Sequence, residues 1–436
     1  MKVRTRFAPS PTGFMHLGNL RTALYAWLFA KKHSGSFVLR IEDTDRSRYV
    51  EGAVDVIYQT LKECGLTWDE GPDVGGDYAP YIQSERKGSY MEHALKLVEK
   101  GMAYHSDGAI WQKTPQTGST TFHDEIYGEI TVENSEIEDQ VLIKSDGMPT
   151  YNFANVIDDH SMNITHIIRG NEYLSSTPKY NLLYEAFGWT LPRYIHVPQI
   201  MRDATHKLSK RDGDAYFSDF REKGYLTPAI VNYIALLGWS PRGHDCKREI
   251  FSLEELVQAF GTDGISKSPA IFDETKMRAI NSEHIRRLSP GKFKQAALPY
   301  IPKADINYDI LCAALQPRTE VLTDIPPQVD FIVQTAQYSP NVYANKKMKT
   351  GPETALEALK AALVILESTT DFTKDSLLAA FKETAEKNEK KVGYYLYPLQ
   401  VALTGKTTSP GGGLDICIMF GQKESINRVK KAIEQL

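Results

Sequence analysis

The spacing of apolar residues changes repeatedly along the first two hundred positions, and each change predicts an element. Arg4 to Ala8 reads as a short strand, closed by Pro9 and Pro11, which cannot donate to a ladder. After Gly18, the residues Leu20, Ala23, Leu24, Trp27 and Leu28 recur at i, i+3, i+4, i+7 and i+8. That stripe predicts a half-buried helix, with Gly35 as its stop. Phe37 to Ile41 reads as a strand, Val54 to Cys64 as a helix ended by Gly65, and Gln83 to Lys100 as a helix ended by Gly101. Strands are predicted at Val141–Lys144, Asn152–Val156, His166–Arg169 and Arg193–Gln199, with a helix at Thr177–Phe187 stopped by Gly188. Strands separated by helices predict an α/β fold with a parallel sheet. Thr114 to Ser119 reads as a turn or loose loop.

From Thr227 the pattern becomes helical. Thr227 and Pro228 cap a helix running to Gly238, and Ser252 with Glu255 forms a capping box for a helix that Gly261 ends. Pro302 marks a candidate domain boundary, and the spacing of Leu356, Leu359, Ala362 and Leu363 beyond it is again helical.

At 436 residues the chain is too long for one ordinary core and predicts two or three domains. It has 42% hydrophobic and 24% charged residues and lacks an apolar run of about 18 residues, so no membrane partner is expected. Met1 to Arg4 runs straight into the first strand, which predicts no targeting segment and a cytoplasmic protein. Cys64, Cys246, Cys312 and Cys417 are scattered, so neither a disulfide framework nor structural zinc is expected. A net charge of −4 excludes a broadly basic nucleic-acid binder but not a local cationic stripe. Lysines and arginines do cluster late, at Lys346, Lys347 and Lys349, at Lys387, Lys390 and Lys391, and at Arg428, Lys430 and Lys431. Any one such cluster is also what a solvated helix face looks like.

The candidate chemistry lies in two motifs. Pro9 to Asn19 forms a turn-rich loop between strand and helix, placing His16, Gly18 and Asn19 at a helix N-terminus, where unpaired N–H groups favour phosphate. The same residues would equally form an ordinary histidine-capped helix. Lys207-Leu208-Ser209-Lys210-Arg211 is a compact cationic loop, uninformative alone but able to close over phosphates. No G-x-G-x-x-G follows the first strand, so no dinucleotide fingerprint is present. Gly405-Lys406-Thr407 imitates the end of a P-loop, but Gln400 occupies the required first glycine position, so the fragment reads as a turn.

In order and separation, His16-Leu17-Gly18-Asn19 and Lys207 to Arg211 resemble the two signatures of class I aminoacyl-tRNA synthetases. Phe7 to Gly13, Arg40 to Asp45, Gln83 to Arg86, Lys144 to Tyr151 and Asn155 to His160 resemble the glutamyl branch. The likeness is dense to about residue 290. It implies a Rossmann-like parallel-sheet domain (about 1–80 and 152–210), an inserted acceptor-stem domain (about 81–151) and a helical connector (about 211–303). A helical anticodon-binding domain would follow at 304–436. It implies a monomer that uses ATP and Mg²⁺ to join L-glutamate to tRNA(Glu), with a non-discriminating or a tRNA(Gln)-preferring enzyme as the alternatives.

Residue by residue, the resemblance makes His16, Lys207 and Lys210 catalytic, and adds Gly18, Asn19, Glu172 and Leu208 to ATP binding. Arg6 and Arg169, with Tyr151, match the clamp on the substrate side-chain carboxylate, which suits a planar guanidinium fork. Ala8, Ser10, Glu42 and Asn155 match positions around the α-amino and α-carboxyl groups. No protein ligand to a metal is implied. Arg318 lies where relatives read the anticodon. Asp43, Asp45, Asp158 and Asp159 are expected to fix loops by capping. Between Gly101 and Val141 the chain is short for this family, which bears on acceptor-end contacts. A small-metabolite nucleotidyltransferase shares the phosphate loop but needs no helical C-terminal platform. A truncated enzyme that glutamylates a modified tRNA base also lacks that platform, and a catalytically dead relative would have lost His16, Lys207 or Lys210.

Overall fold

A computed structural model describes residues 2–208, 216–243, 246–333 and 338–436. It packs as two compact units, residues 1–222 with 226–280, and residues 223–225 with 281–436. The expected boundary at 303 rests on chain punctuation, whereas this division rests on packing and falls within a helix, Glu274–Arg286.

The first unit opens with β1 (Arg4–Phe7), α1 (Leu17–Lys32) and β2 (Ser36–Leu39). β1 and β2 pair in parallel with α1 as the crossover. Ser34, not Gly35, takes the left-handed conformation that ends α1, at φ 50°. Gly35 is required for a different reason: a Cβ there would overlap the carbonyl oxygen of Val3 at the start of the neighbouring strand. α2 (Ala53–Glu63) ends at Gly65 (φ 76°). The helix expected from Gln83 begins as a 3₁₀ turn and becomes α3 at Lys87–Glu99.

Next come β3 (Ala103–Ser106) and β4 (Ala109–Gln112), joined by Asp107 and Gly108, both with positive φ (49° and 74°). That is the two-residue turn that matches strand twist. β5 (Ser119–Asp124) and β6 (Gly128–Glu133) form a second hairpin, and β7 (Gln140–Ile143) pairs with β4. α4 spans Tyr151–Ser161, so the strand expected at Asn152–Val156 is a helix. β8 (His166–Gly170), α5 (Thr177–Phe187) and β9 (Arg193–Val197) complete the pattern, with β8 and β9 parallel. One sheet has the order β6-β5-β9-β8. Its β8 edge is tied to β1, where Thr165 N donates to Arg4 O at 3.0 Å. α3, α4 and α5 pack on the β3-β4-β7 sheet through Tyr90, Leu97, Leu142, Phe153, Ile157 and Leu183.

The unit closes with β10 (Ile200–Met201), α6 (Phe217–Glu222), α7 (Thr227–Leu236), α8 (Leu253–Ala259) and β11 (Ala270–Ile271), which pairs with β10. Both hydrogen bonds of the capping box at Ser252 and Glu255 are present. The second unit is helical among its described residues: the end of α9 (Glu274–Arg286), α10 (Pro290–Ala297), α11 (Tyr308–Leu315), α12 (Pro326–Val329), α13 (Pro352–Ser368), α14 (Lys374–Lys387), α15 (Val392–Thr404) and α16 (Gly413–Gln435). α16 breaks at Gly421, which has φ 75°. Gly405 is the left-handed cap of α15, so the P-loop-like fragment is a turn.

Candidate active site

The carboxyl ends of β1, β8 and β9 open into one cavity of about 700 Å³ within the first unit. This is where open α/β sheets hold ligands. Of the residues singled out in the sequence, Arg6, Ala8, Ser10, His16, Gly18, Asn19, Glu42, Tyr151, Arg169, Glu172, Lys207 and Leu208 all line it. Asn155 does not. Its buried amide donates to Tyr151 O at 2.9 Å, one turn back along α4. Ser209, Lys210 and Arg211 lie outside the described residues. Arg318 belongs to the second unit, exposed on a 3₁₀ turn, with one guanidinium N–H donated to Ser409 O at 2.7 Å.

One end of the cavity is built by α1. His16 is the N-cap of that helix, its Nδ1 accepting from Gly18 N at 3.1 Å. The cap and the end of the loop that precedes α1 are therefore one structure. Gly18 and Asn19 occupy the first turn, which carries no acidic residue to oppose an anion. Lys207 is exposed on the cavity wall and bridges Met201 of β10, while Leu208 is buried behind it. Gly170 allows Glu172 to fold back against the strand end, since a Cβ would collide with its carboxylate.

The opposite end is a buried charge network. Arg6 Nε donates to both oxygens of Asp159, at 3.1 and 3.2 Å. Arg40, fully buried, donates to Asp159 at 2.8 Å and to Glu42 at 3.0 Å. Asp158 accepts from Arg86 at 2.6 Å, from Gln83 at 2.8 Å and from Tyr90. Asp158 and Asp159 are thus core counter-ions and not loop caps, which corrects the sequence reading. Asp43 and Asp45 do cap loops, through Ser84 and Ser47. Burial pushes Glu42 up to about 7, against the opposing pull of Arg40 and Arg6. Its second oxygen has no hydrogen-bond partner. Tyr151, first residue of α4, stacks on Tyr173 with ring centroids 5.6 Å apart.

Arg169 differs from Arg6 and Arg40. Its Nε donates to His196 Nε2 and one Nη to Thr177 Oγ1, each at 3.0 Å, and both acceptors are neutral. The rings of Tyr173, Tyr180 and Tyr194 lie 4.6–5.7 Å from its guanidinium carbon. Its remaining Nη1 is buried without a partner. Among the described residues no carboxylate lies within ion-pair distance of this cation.

Sequence reasoning missed Arg21, Asp124, Thr177 and His196. Arg21 lines the cavity and anchors its wall, donating to Pro198 O and to Leu237 O. Its signal was a cation on the buried stripe of α1. That of His196 was a lone polar residue inside an apolar strand. Among the described residues no His, Cys, Asp and Glu side chains group in threes to hold a metal ion.

Residues 2–109 and 108–279 match the catalytic domain of class I tRNA synthetases (E and Q), and residues 285–433 match an anticodon-binding domain. The fold is that of a class I synthetase. The chain is 50% identical to glutamate–tRNA ligase from Clostridium botulinum over all of this chain and 99% of that one. It is 51% identical to the Clostridium novyi ligase over 100% of this chain and 98% of that one. A glutamate–tRNA ligase from Elizabethkingia meningosepticum, solved in complex with its amino acid, superposes with a TM-score of 0.89 at 33% identity, covering 100% of this chain and 99% of that one. The chain belongs to the glutamate–tRNA ligase family.

Proposed function

We propose that this cavity activates L-glutamate with ATP and passes the glutamyl group to the 3′ end of tRNA(Glu), releasing AMP and pyrophosphate. The observation that carries this reading is Arg169, a buried guanidinium with neutral protein partners and one unpaired Nη1. A substrate side-chain carboxylate supplies the missing counter-ion, and Arg6 and Tyr151 line the same space. The free oxygen of Glu42 suits the substrate ammonium, with Ala8 and Ser10 beside it. Asn155 holds the first turn of α4, and with it Tyr151, in place behind these groups.

Adenylate formation brings an anion onto a polyanion, so positioning and charge neutralisation dominate over proton chemistry. His16, Gly18 and Asn19 present the α1 N-terminus to the nucleotide, Glu172 faces its ribose and Leu208 packs beside it. Lys207 and Lys210 stabilise charge on the departing pyrophosphate. Mg²⁺ would accompany the triphosphate and offset its charge. Residues 285–433 would read the anticodon, with Arg318 a candidate contact. One chain carries both functions, acting as a cytoplasmic monomer.

Charging purified tRNA(Glu) and tRNA(Gln) with labelled glutamate tests the proposal. Glutamylated tRNA(Glu) is expected, and label on neither RNA overturns the reading. Label on tRNA(Gln) as well would define a non-discriminating enzyme. Lys210→Ala should cut adenylate formation about 10²–10³-fold, the usual cost of one preorganised donor, with tRNA affinity unchanged. Unchanged adenylation would remove that lysine from the mechanism.

A further inference from the structure

Arg169 and His196 are direct cross-strand neighbours on parallel β8 and β9. The imidazole bridges two charges of opposite sign. On one side Nε2 lies 3.0 Å from Arg169 Nε, which can only donate. On the other, Nδ1 lies 2.7 Å from Asp124 Oδ2, which accepts when ionised. These contacts are compatible with one form of the ring, neutral with its proton on Nδ1. An imidazolium would place a second N–H against Arg169, and the other tautomer would leave Asp124 facing a lone pair.

Asp124 is itself rigidly seated. Its Oδ1 accepts from Ile126 N and Tyr127 N, each at 2.9 Å, and Oδ2 also accepts from His196 N at 3.1 Å. Asp124, Thr177 and His196 are fully buried. Among the described residues, both side-chain hydrogen bonds of Arg169 therefore end on neutral atoms, and the Asp124 carboxylate is kept a full imidazole away.

We propose that Asp124 and His196 form a positioning relay that sets specificity for an acidic side chain: it locks the Arg169 guanidinium in orientation without neutralising it. This rests on glutamate being the substrate. An acidic residue at position 196, pressed toward Arg169 by the Asp124 carboxylate behind it, would cancel the guanidinium charge and leave the cavity indifferent between a carboxylate and a carboxamide. The relay is a device for holding a cation by its edge while reserving its charge. Asp124 comes from the β5–β6 hairpin, so a segment far from the phosphate loops supports amino-acid choice.

The test uses the full-length enzyme with tRNA(Glu). First, ¹⁵N NMR of histidine-labelled wild type should show His196 protonated on Nδ1 and not on Nε2 near pH 7; a charged ring or the opposite tautomer overturns the relay. Second, His196→Gln, whose amide oxygen can accept the Nε–H bond, should raise the glutamate KM less than about ten-fold. His196→Glu should raise it more than about a hundred-fold, with the ATP KM unchanged and with reduced preference for glutamate over glutamine. Asp124→Asn should reverse the ring tautomer and raise the glutamate KM about 10- to 100-fold. Equal losses in His196→Gln and His196→Glu, or parallel changes in the ATP and glutamate constants, would reduce both residues to packing. Wild type that charges no glutamate would instead overturn the functional reading, and thermal unfolding of each variant identifies any that fail to fold.

Discussion

Glu42 is a buried carboxyl whose second oxygen is left unpartnered. Its carboxyl is raised from an ordinary 4.5 to about 7 because desolvation outweighs the pull of Arg40 and Arg6. The folded state therefore keeps this proton longer than the unfolded chain does. Its contribution to stability is lost as pH rises from about 4.5 through 7. If the ionised form receives the substrate ammonium, kcat/KM for glutamate should climb as pH passes about 7. Glu42→Gln should flatten that limb and lower its plateau; a wild-type profile level from about pH 6 to 8 would contradict the role. The neighbouring aspartates follow different physics. Asp159 is held below the usual carboxylate range, burial being outweighed by Arg6 and Arg40, so it remains ionised wherever the enzyme works. The sequence could not distinguish these carboxylates, because nothing in Asp158-Asp159 marks them as buried until Arg6, Arg40 and Arg86 converge from other segments.

At the level of elements, what the sequence disclosed depended on whether buried positions were apolar. α1 was legible because its inward stripe is leucine, alanine and tryptophan. The β5–β6 hairpin was not: β5 alternates exposed and buried positions, but those buried are Thr120, Phe122 and Asp124, two of them polar. The misreading of Asn152–Val156 has a similar cause, since five residues at the start of α4 hold too little of its periodicity to exclude a strand. The motifs fared better than the elements around them. Twelve of the residues singled out share one cavity, because a loop motif specifies its chemistry locally. Thr177, His196 and Asp124 are scattered over the chain and become a unit only through strand register. Close packing of β1 on the end of α1 gives a direct check. Gly35→Ala should cost about 1–3 kcal/mol by forcing the Val3 carbonyl aside, read as a lower urea midpoint. An unchanged midpoint would show that the strand yields freely.

For the whole molecule, histidines decide the acid limit. Burial lowers His166, His196 and His284 from an ordinary 6.5 to about 4. Between those values the unfolded chain binds more protons than the folded one, so stability should fall as pH drops from about 6.5 toward 4. The first two lie in one compact unit and the third in the other, so both should weaken together. Melting temperatures followed over that range should decline, and a flat profile would contradict the neutral assignments. Ionisation of Glu42 works in the opposite direction over part of the same range, so Glu42→Gln should steepen the decline. The hairpin tip at Asp107-Gly108 carries a last implication. The catalytic-family match breaks at residues 108–109, and alignment with the Clostridium ligases spans 481 positions against 436 residues here. The exposed tip therefore lies where the two pieces of that match meet. A guest peptide or fluorescent label spliced into that turn should leave both hairpin strands paired, giving a handle on the enzyme's exterior.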